Sequence, residues 1–183
     1  MPIVIGAKPE SNFSDPIGLL TDCHRRIEKF LSVLVQVSTQ AAGSPLSSEQ
    51  RQSFENALRY FRDAAPKHTA DEEDSIFPRL RQSDKPEVRD VMERMERLEH
   101  EHPRADQAHA EINRLGQAWL DSDSLSPSDA GRLSQLLSEL SELYREHIAI
   151  EEQQVFPVAA ELLPDSERQA ISREMAGRRG LAK

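Results

Sequence analysis

A single pattern occurs twice in this chain. His68, Glu72, Glu73, Phe77 and Pro78 recur at the same spacing as His147, Glu151, Glu152, Phe156 and Pro157. On an α-helix, residues four apart lie one turn apart on nearly the same face. Each copy therefore aims one imidazole and one carboxylate at a common point. A lone His-x-x-x-Glu is an ordinary surface pair, but two copies sharing a second Glu, a Phe and a Pro imply a metal site built by two facing helices.

The rest of the chain reads as helix. Asp15-Pro16 couples a capping side chain to a proline at the first helical position, and apolar residues follow at Ile17, Leu20, Ile27, Leu31 and Leu34. Ser47 or Ser48 caps a second helix through Phe54, Leu58, Phe61, Ala65 and Ile76 towards Arg81. Asp84-Lys85-Pro86 starts a third, with Val88, Val91, Met95, Leu98, Ile112 and Trp119. Ser126-Pro127 starts a fourth, with Leu133, Leu136, Leu140, Leu143, Ile150 and Val155. Short polar connectors join them, and Pro164-Asp165 opens a short fifth segment ending near Gly177. The expected fold is all-α: an antiparallel up-down four-helix bundle with a short C-terminal helical segment. The expected divisions are an extended segment 1–13, a bundle 14–163, and a short helix with a basic tail, 164–183, whose end reads as frayed. Pro66, Pro78, Pro103 and Pro157 each remove a backbone hydrogen bond, and local helix distortion is expected at Pro66 and Pro103, beside the candidate ligands.

Two His–Glu pairs leave a site incomplete. His24 lies on the apolar stripe of the first helix, between Leu20 and Ile27; His102 and His109 lie on that of the third; His100 sits on a charged face. His24 precedes His68 by nearly the separation at which His102 precedes His147, whereas His109 stands much closer to His147. The chain thus reads as two similar halves, and the candidate metal ligands are His24, His68, Glu72, His102, His147 and Glu151. That many inward polar groups in one layer would be severely destabilising without a cation. Glu73 and Glu152 point away from their histidines and are expected to support the ligands or face solvent. His109, two turns from His102, lines an access path or is simply packed. Tyr144 is a core tyrosine or a hydrogen-bond donor near the metal, Phe77 and Phe156 are packing residues or shield the site, and Cys23 is a free structural thiol.

Four imidazoles and two carboxylates exceed one tetrahedral zinc. Imidazole beside carboxylate favours iron or manganese over calcium or magnesium. Two carboxylates can bridge two ions, leaving positions for water, dioxygen or nitric oxide. Ferritin-like di-iron bundles carry paired Glu-x-x-His motifs, whereas both repeats here carry His-x-x-x-Glu, and the acidic loop Asp121–Ser126 lacks the central Gly and final Glu of a calcium loop. Ligands of this kind must be deprotonated, so acid should expel the metal.

Cys23-His24-Arg25-Arg26, the two His-x-x-x-Glu-Glu segments with their Phe-Pro, and Glu101-His102 together resemble the hemerythrin-like, or HHE cation-binding, domains over roughly residues 14–163. The resemblance implies a non-haem di-iron centre of two Fe ions, with Glu72 and Glu151 as bridging carboxylates and His24, His68, His102 and His147 as terminal ligands; Mn or Zn remain alternatives. Oxygen-carrying hemerythrins use a fifth histidine, in a His-x-x-x-His pair. Here the residue one turn beyond His102 is Asp106. The extra open position favours reactivity with O2, NO or peroxide. The function expected is binding or sensing of O2 or NO, with a redox partner of unknown identity. The alternative is an enzyme of NO or peroxide detoxification or of iron–sulfur cluster repair, although residues 1–13 lack the cysteine common in repair members. The third possibility is a purely structural bundle or metal buffer.

The net charge of −9 argues against a nucleic-acid partner. A single cysteine fits a reducing compartment. With no leader and no membrane-length apolar run, a cytoplasmic location is expected.

Overall fold

The computed structural model describes residues 11–181. Most of the expected segment 1–13 therefore lies outside the described residues. Helix α1 spans Pro16–Ala41. Asp15 Oδ1 accepts the Gly18 N–H at 2.9 Å, and the helix ends where Ala42 turns left-handed at φ 46°. Helix α2, Ser48–Asp63, starts from a reciprocal cap. Gln50 N–H donates to Ser47 Oγ at 3.2 Å, and Ser47 N–H to Gln50 Oε1 at 3.0 Å.

The expected second helix is not one rod. It breaks at Ala64, then continues as α3 (Ala65–Asp71), a π-helical turn π1 (Glu72–Ile76) and α4 (Phe77–Arg81). The third is a single long helix, α5, Pro86–Ser122. The fourth is α6 (Pro127–Ile150), a second π-turn π2 (Glu151–Val155) and α7 (Phe156–Leu162), followed by α8, Asp165–Arg178. No strand occurs among the described residues, and no described helix is long and apolar enough to cross a membrane.

The prolines account for these interruptions. Pro66 has no N–H with which to continue α2, and the break falls just ahead of it. Pro78 and Pro157 would each press their ring into the carbonyl four residues back, so the preceding turn widens. In the widened turns Phe77 N–H donates to Glu72 C=O and Phe156 N–H to Glu151 C=O, one residue further than in an α-helix. Pro103, by contrast, sits inside α5 without interrupting it. Its face is exposed, and water can replace the lost donor.

Around the interior, α1 packs against α2 and α6, and α5 against the same two helices. One apolar cluster joins Ile27, Leu34, Phe54, Leu58, Leu115, Trp119, Leu133 and Leu140. A second joins Leu20, Ile76, Phe77, Val88, Met95, Leu98, Val155 and Phe156 with Ile171 and Met175 of α8. Each fully buried Leu, Ile or Phe contributes about 1.5–3 kcal/mol. Between the clusters lies a polar layer: His24 separates Leu20 from Ile27 on α1, and His102 separates Leu98 from Ala105 on α5.

The basic C-terminal end is not frayed over its described length. Ile171 and Met175, one turn apart, are fully buried. Arg178 Nη1 and Arg179 Nη2 reach the buried Asp71 carboxylate at 2.9 and 2.6 Å. A buried carboxylate needs a compensating cation, and this one stands beside Glu72.

Candidate metal centre

The six candidate ligands come from α1, α3, π1, α5, α6 and π2, and all are buried. Glu72 and Glu151 each open a π-turn, four residues after the histidine of their own α segment. The four imidazoles point Nε2 inward. His68 Nε2 stands 3.2 Å from Glu72 Oε1 and His147 Nε2 3.0 Å from Glu151 Oε1. His24 Nε2 lies 3.1 Å from Glu151 Oε2 and 3.9 Å from Glu72 Oε1. His102 Nε2 lies 3.7 Å from Glu72 Oε2 and 3.1 Å from His147 Nε2.

These atoms are close without being satisfied. His24 Nε2 and all four carboxylate oxygens of Glu72 and Glu151 are buried with no hydrogen-bond partner. Buried carboxylate oxygens of this kind normally have partners. Lone pairs converging on shared points are the arrangement a cation would satisfy. The donors sort into two groups, His24–His68–Glu72–Glu151 and His102–His147–Glu72–Glu151, each with its ligand atoms within 4.8 Å of one another. Both groups share both carboxylates.

The outward nitrogens are held as well. His24 Nδ1 is 3.0 Å from Glu152 Oε1, and His102 Nδ1 is 2.6 Å from Glu73 Oε1. Glu73 and Glu152 thus each brace a histidine of the other half of the chain. Single-helix geometry showed only that they point away from their own histidines. His147 Nδ1 is 3.1 Å from Glu101 Oε2, a role that sequence reasoning missed. The only available signal was the position of Glu101 directly before His102.

Among the chain's own groups, the layer is electrostatically divided. Burial and the nearby Glu151 charge push the Glu72 carboxyl well above the usual carboxylate range. Burial acts the same way on Glu151, but His147 and His24 outweigh it and hold that carboxyl low. Burial, aided by the charge of His24, depresses His68 far below an ordinary histidine. Burial would also depress His24, but Glu151 and Glu152 overcome it and raise that ring.

On one side the layer faces a cavity of about 20 Å³, counted as space for the centre of a water molecule, bordered by His68, His102, His147, Asp106, His109 and Tyr144. That is room for about one water-sized molecule. His109 is brought to the cavity but not to the ligand set. Its Nε2 lies 2.8 Å from Tyr144 Oη, and its ring stacks on Phe61 at 4.5 Å. Burial lowers His109 to about 4 and raises Tyr144, which therefore keeps its hydroxyl proton. Phe156 stacks on His24 with 5.3 Å between centroids, so it covers one ligand as well as filling the core. Cys23 is buried, and its Sγ accepts a hydrogen bond from Arg26 Nη2 at 3.1 Å. His100 stays exposed on Glu96 C=O, away from the cluster.

The family model of the hemerythrin HHE cation-binding domain matches residues 15–159, a span containing all six candidate ligands and the three bracing carboxylates. No curated protein matches the chain. By sequence and by the donor set its helices bring together, the chain belongs to the hemerythrin HHE cation-binding domain family.

Proposed function

We propose that the chain holds a non-haem di-iron centre that binds or senses O2 or NO. One observation carries the reading: two donor groups, each with two imidazoles, share the same two buried carboxylates beside a cavity of about 20 Å³. Glu72 and Glu151, shared by both donor groups, would hold the ions together with His24, His68, His102 and His147. An antiparallel up-down course of the four long segments belongs to the same reading and is supported by the pairing of α1 and α5 with both α2 and α6.

Bound iron supplies one-electron chemistry and open coordination positions. The chain's own residues do the rest. Glu73, Glu101 and Glu152 accept the Nδ1 protons of His102, His147 and His24, which fixes the tautomer and turns each Nε2 lone pair inward. Phe61, Phe156 and Ile148 limit water around the layer. The Tyr144–His109 pair places a hydroxyl donor at the cavity wall.

The test is the metal content of protein produced with iron and purified without chelator, followed by spectra under O2 and NO. The reading requires close to two irons per chain and a reversible spectral change without turnover. One zinc, or no metal, would overturn it. Sustained turnover with an electron donor, lost in Glu72→Ala or Glu151→Ala, would replace binding with catalysis.

A further inference from the structure

The two halves of the centre repeat in their ligands but not in the groups behind those ligands. In the half formed by His102 and His147, both rings are braced at Nδ1, by Glu73 at 2.6 Å and Glu101 at 3.1 Å. In the half formed by His24 and His68, only His24 is braced, by Glu152 at 3.0 Å. His68 Nδ1 is buried with no hydrogen-bond partner. The internal repeat explains the gap. Glu101 directly precedes His102 and braces the histidine of the following helix; the residue directly preceding His24 is Cys23. Its thiol brings no carboxylate and is occupied by Arg26.

A carboxylate behind a ligating imidazole orients the ring and makes Nε2 a stronger donor, and its loss typically costs 10–100-fold in metal affinity. Both ions would share Glu72 and Glu151, so the bridging groups do not distinguish them. Accepting the dinuclear reading above, we propose that the half held by His102 and His147 binds its ion about 10–100-fold more tightly than the half held by His24 and His68. Glu101 is the residue that makes the difference, as a positioning residue acting through His147. The centre then fills in order, loses the His24–His68 ion first, and has its more exchangeable ion on the side where Phe156 stacks on His24.

The experiment is an anaerobic calorimetric titration of the metal-free full-length chain with ferrous iron, in wild type and in Glu101→Gln, Glu73→Gln and Glu152→Gln. Wild type should take up two ions in two steps. Two steps alone do not discriminate, because repulsion between neighbouring cations also separates them. The variants do. Glu101→Gln and Glu73→Gln should each weaken the tight step about 10–100-fold and leave the weak step within about threefold, so that the steps converge. Glu152→Gln should leave the tight step and weaken the other, so that they diverge. Glu101 and Glu152 are both partly solvent-exposed, and two variants report on the same half should one fold poorly. The inference is overturned if Glu101→Gln and Glu152→Gln act on the same step, on both steps equally, or on neither. A wild-type endpoint of one ion per chain would instead overturn the dinuclear reading itself.

Discussion

His109 makes the metal-free protein sensitive to acid, and the size of the effect follows from its surroundings. The ring stacks on Phe61 at 4.5 Å and contacts Tyr144 Oη at 2.8 Å. Its Nδ1 is buried without a partner. Burial depresses it from the ordinary value of 6.5 to about 4. Above pH 6.5 the ring is neutral in both folded and unfolded chains, and its titration adds nothing to stability. As pH falls through 6.5 the unfolded chain takes up a proton that the folded chain refuses, so stability falls. The loss continues until about pH 4, where the folded ring also protonates. At about 1.4 kcal/mol per pH unit, the decline reaches about 2 kcal/mol by pH 5 and about 3 kcal/mol at its limit. The perturbation is His109→Gln, which keeps polar groups near Tyr144 but removes the titration. The assay is urea unfolding of chelator-treated wild type and variant at pH 7.5 and pH 5. His68, also depressed by burial, contributes equally to both proteins and cancels in the comparison. The stability of wild type relative to the variant should drop by about 2 kcal/mol between the two pH values. A difference that did not change with pH would refute the reasoning, since it would require His109 to protonate as easily in the folded protein as in the unfolded one.

Two further outcomes rest on packing and on a buried charge. A Cβ on Gly116 would meet Leu58 Cδ1 at 2.7 Å and Phe54 Cε1 at 3.0 Å, both in the closed apolar end of the bundle. Gly116→Ala should therefore lose about 1 kcal/mol net in thermal unfolding, the overpacking exceeding the gain in helix propensity; a stabilised variant would mean that Leu58 yields freely. Asp71→Asn should cost about 2–3 kcal/mol, because it leaves the Arg178 and Arg179 guanidiniums facing a buried neutral group. Amide exchange in α8 should rise first, and unchanged protection there would show that Ile171 and Met175 alone hold the helix.

The family, the helical class and the convergence of six buried candidate ligands were legible in the linear sequence. Periodicity reports which face of a helix is buried, and the repeated His-x-x-x-Glu places two donors on one such face. Helix starts at Asp15 and Ser126 were equally plain, because a cap is a local interaction between residues a few positions apart. The proline signals were harder to read: Pro66 breaks a helix and Pro103 does not, and the difference depends on which side of the helix meets solvent. The short fifth helix was legible, but its basic end reads as frayed in the sequence, because Arg178 and Arg179 look solvated until Asp71 is found buried opposite them. Glu73, Glu101 and Glu152 show the limit most clearly. Their neighbours in sequence say which way each side chain leaves its own helix, but not which ring it meets on another. Local spacing determined which groups turn inward; only the packing of one helix on the next decided that three of the four histidines are braced from behind and that His68 is not.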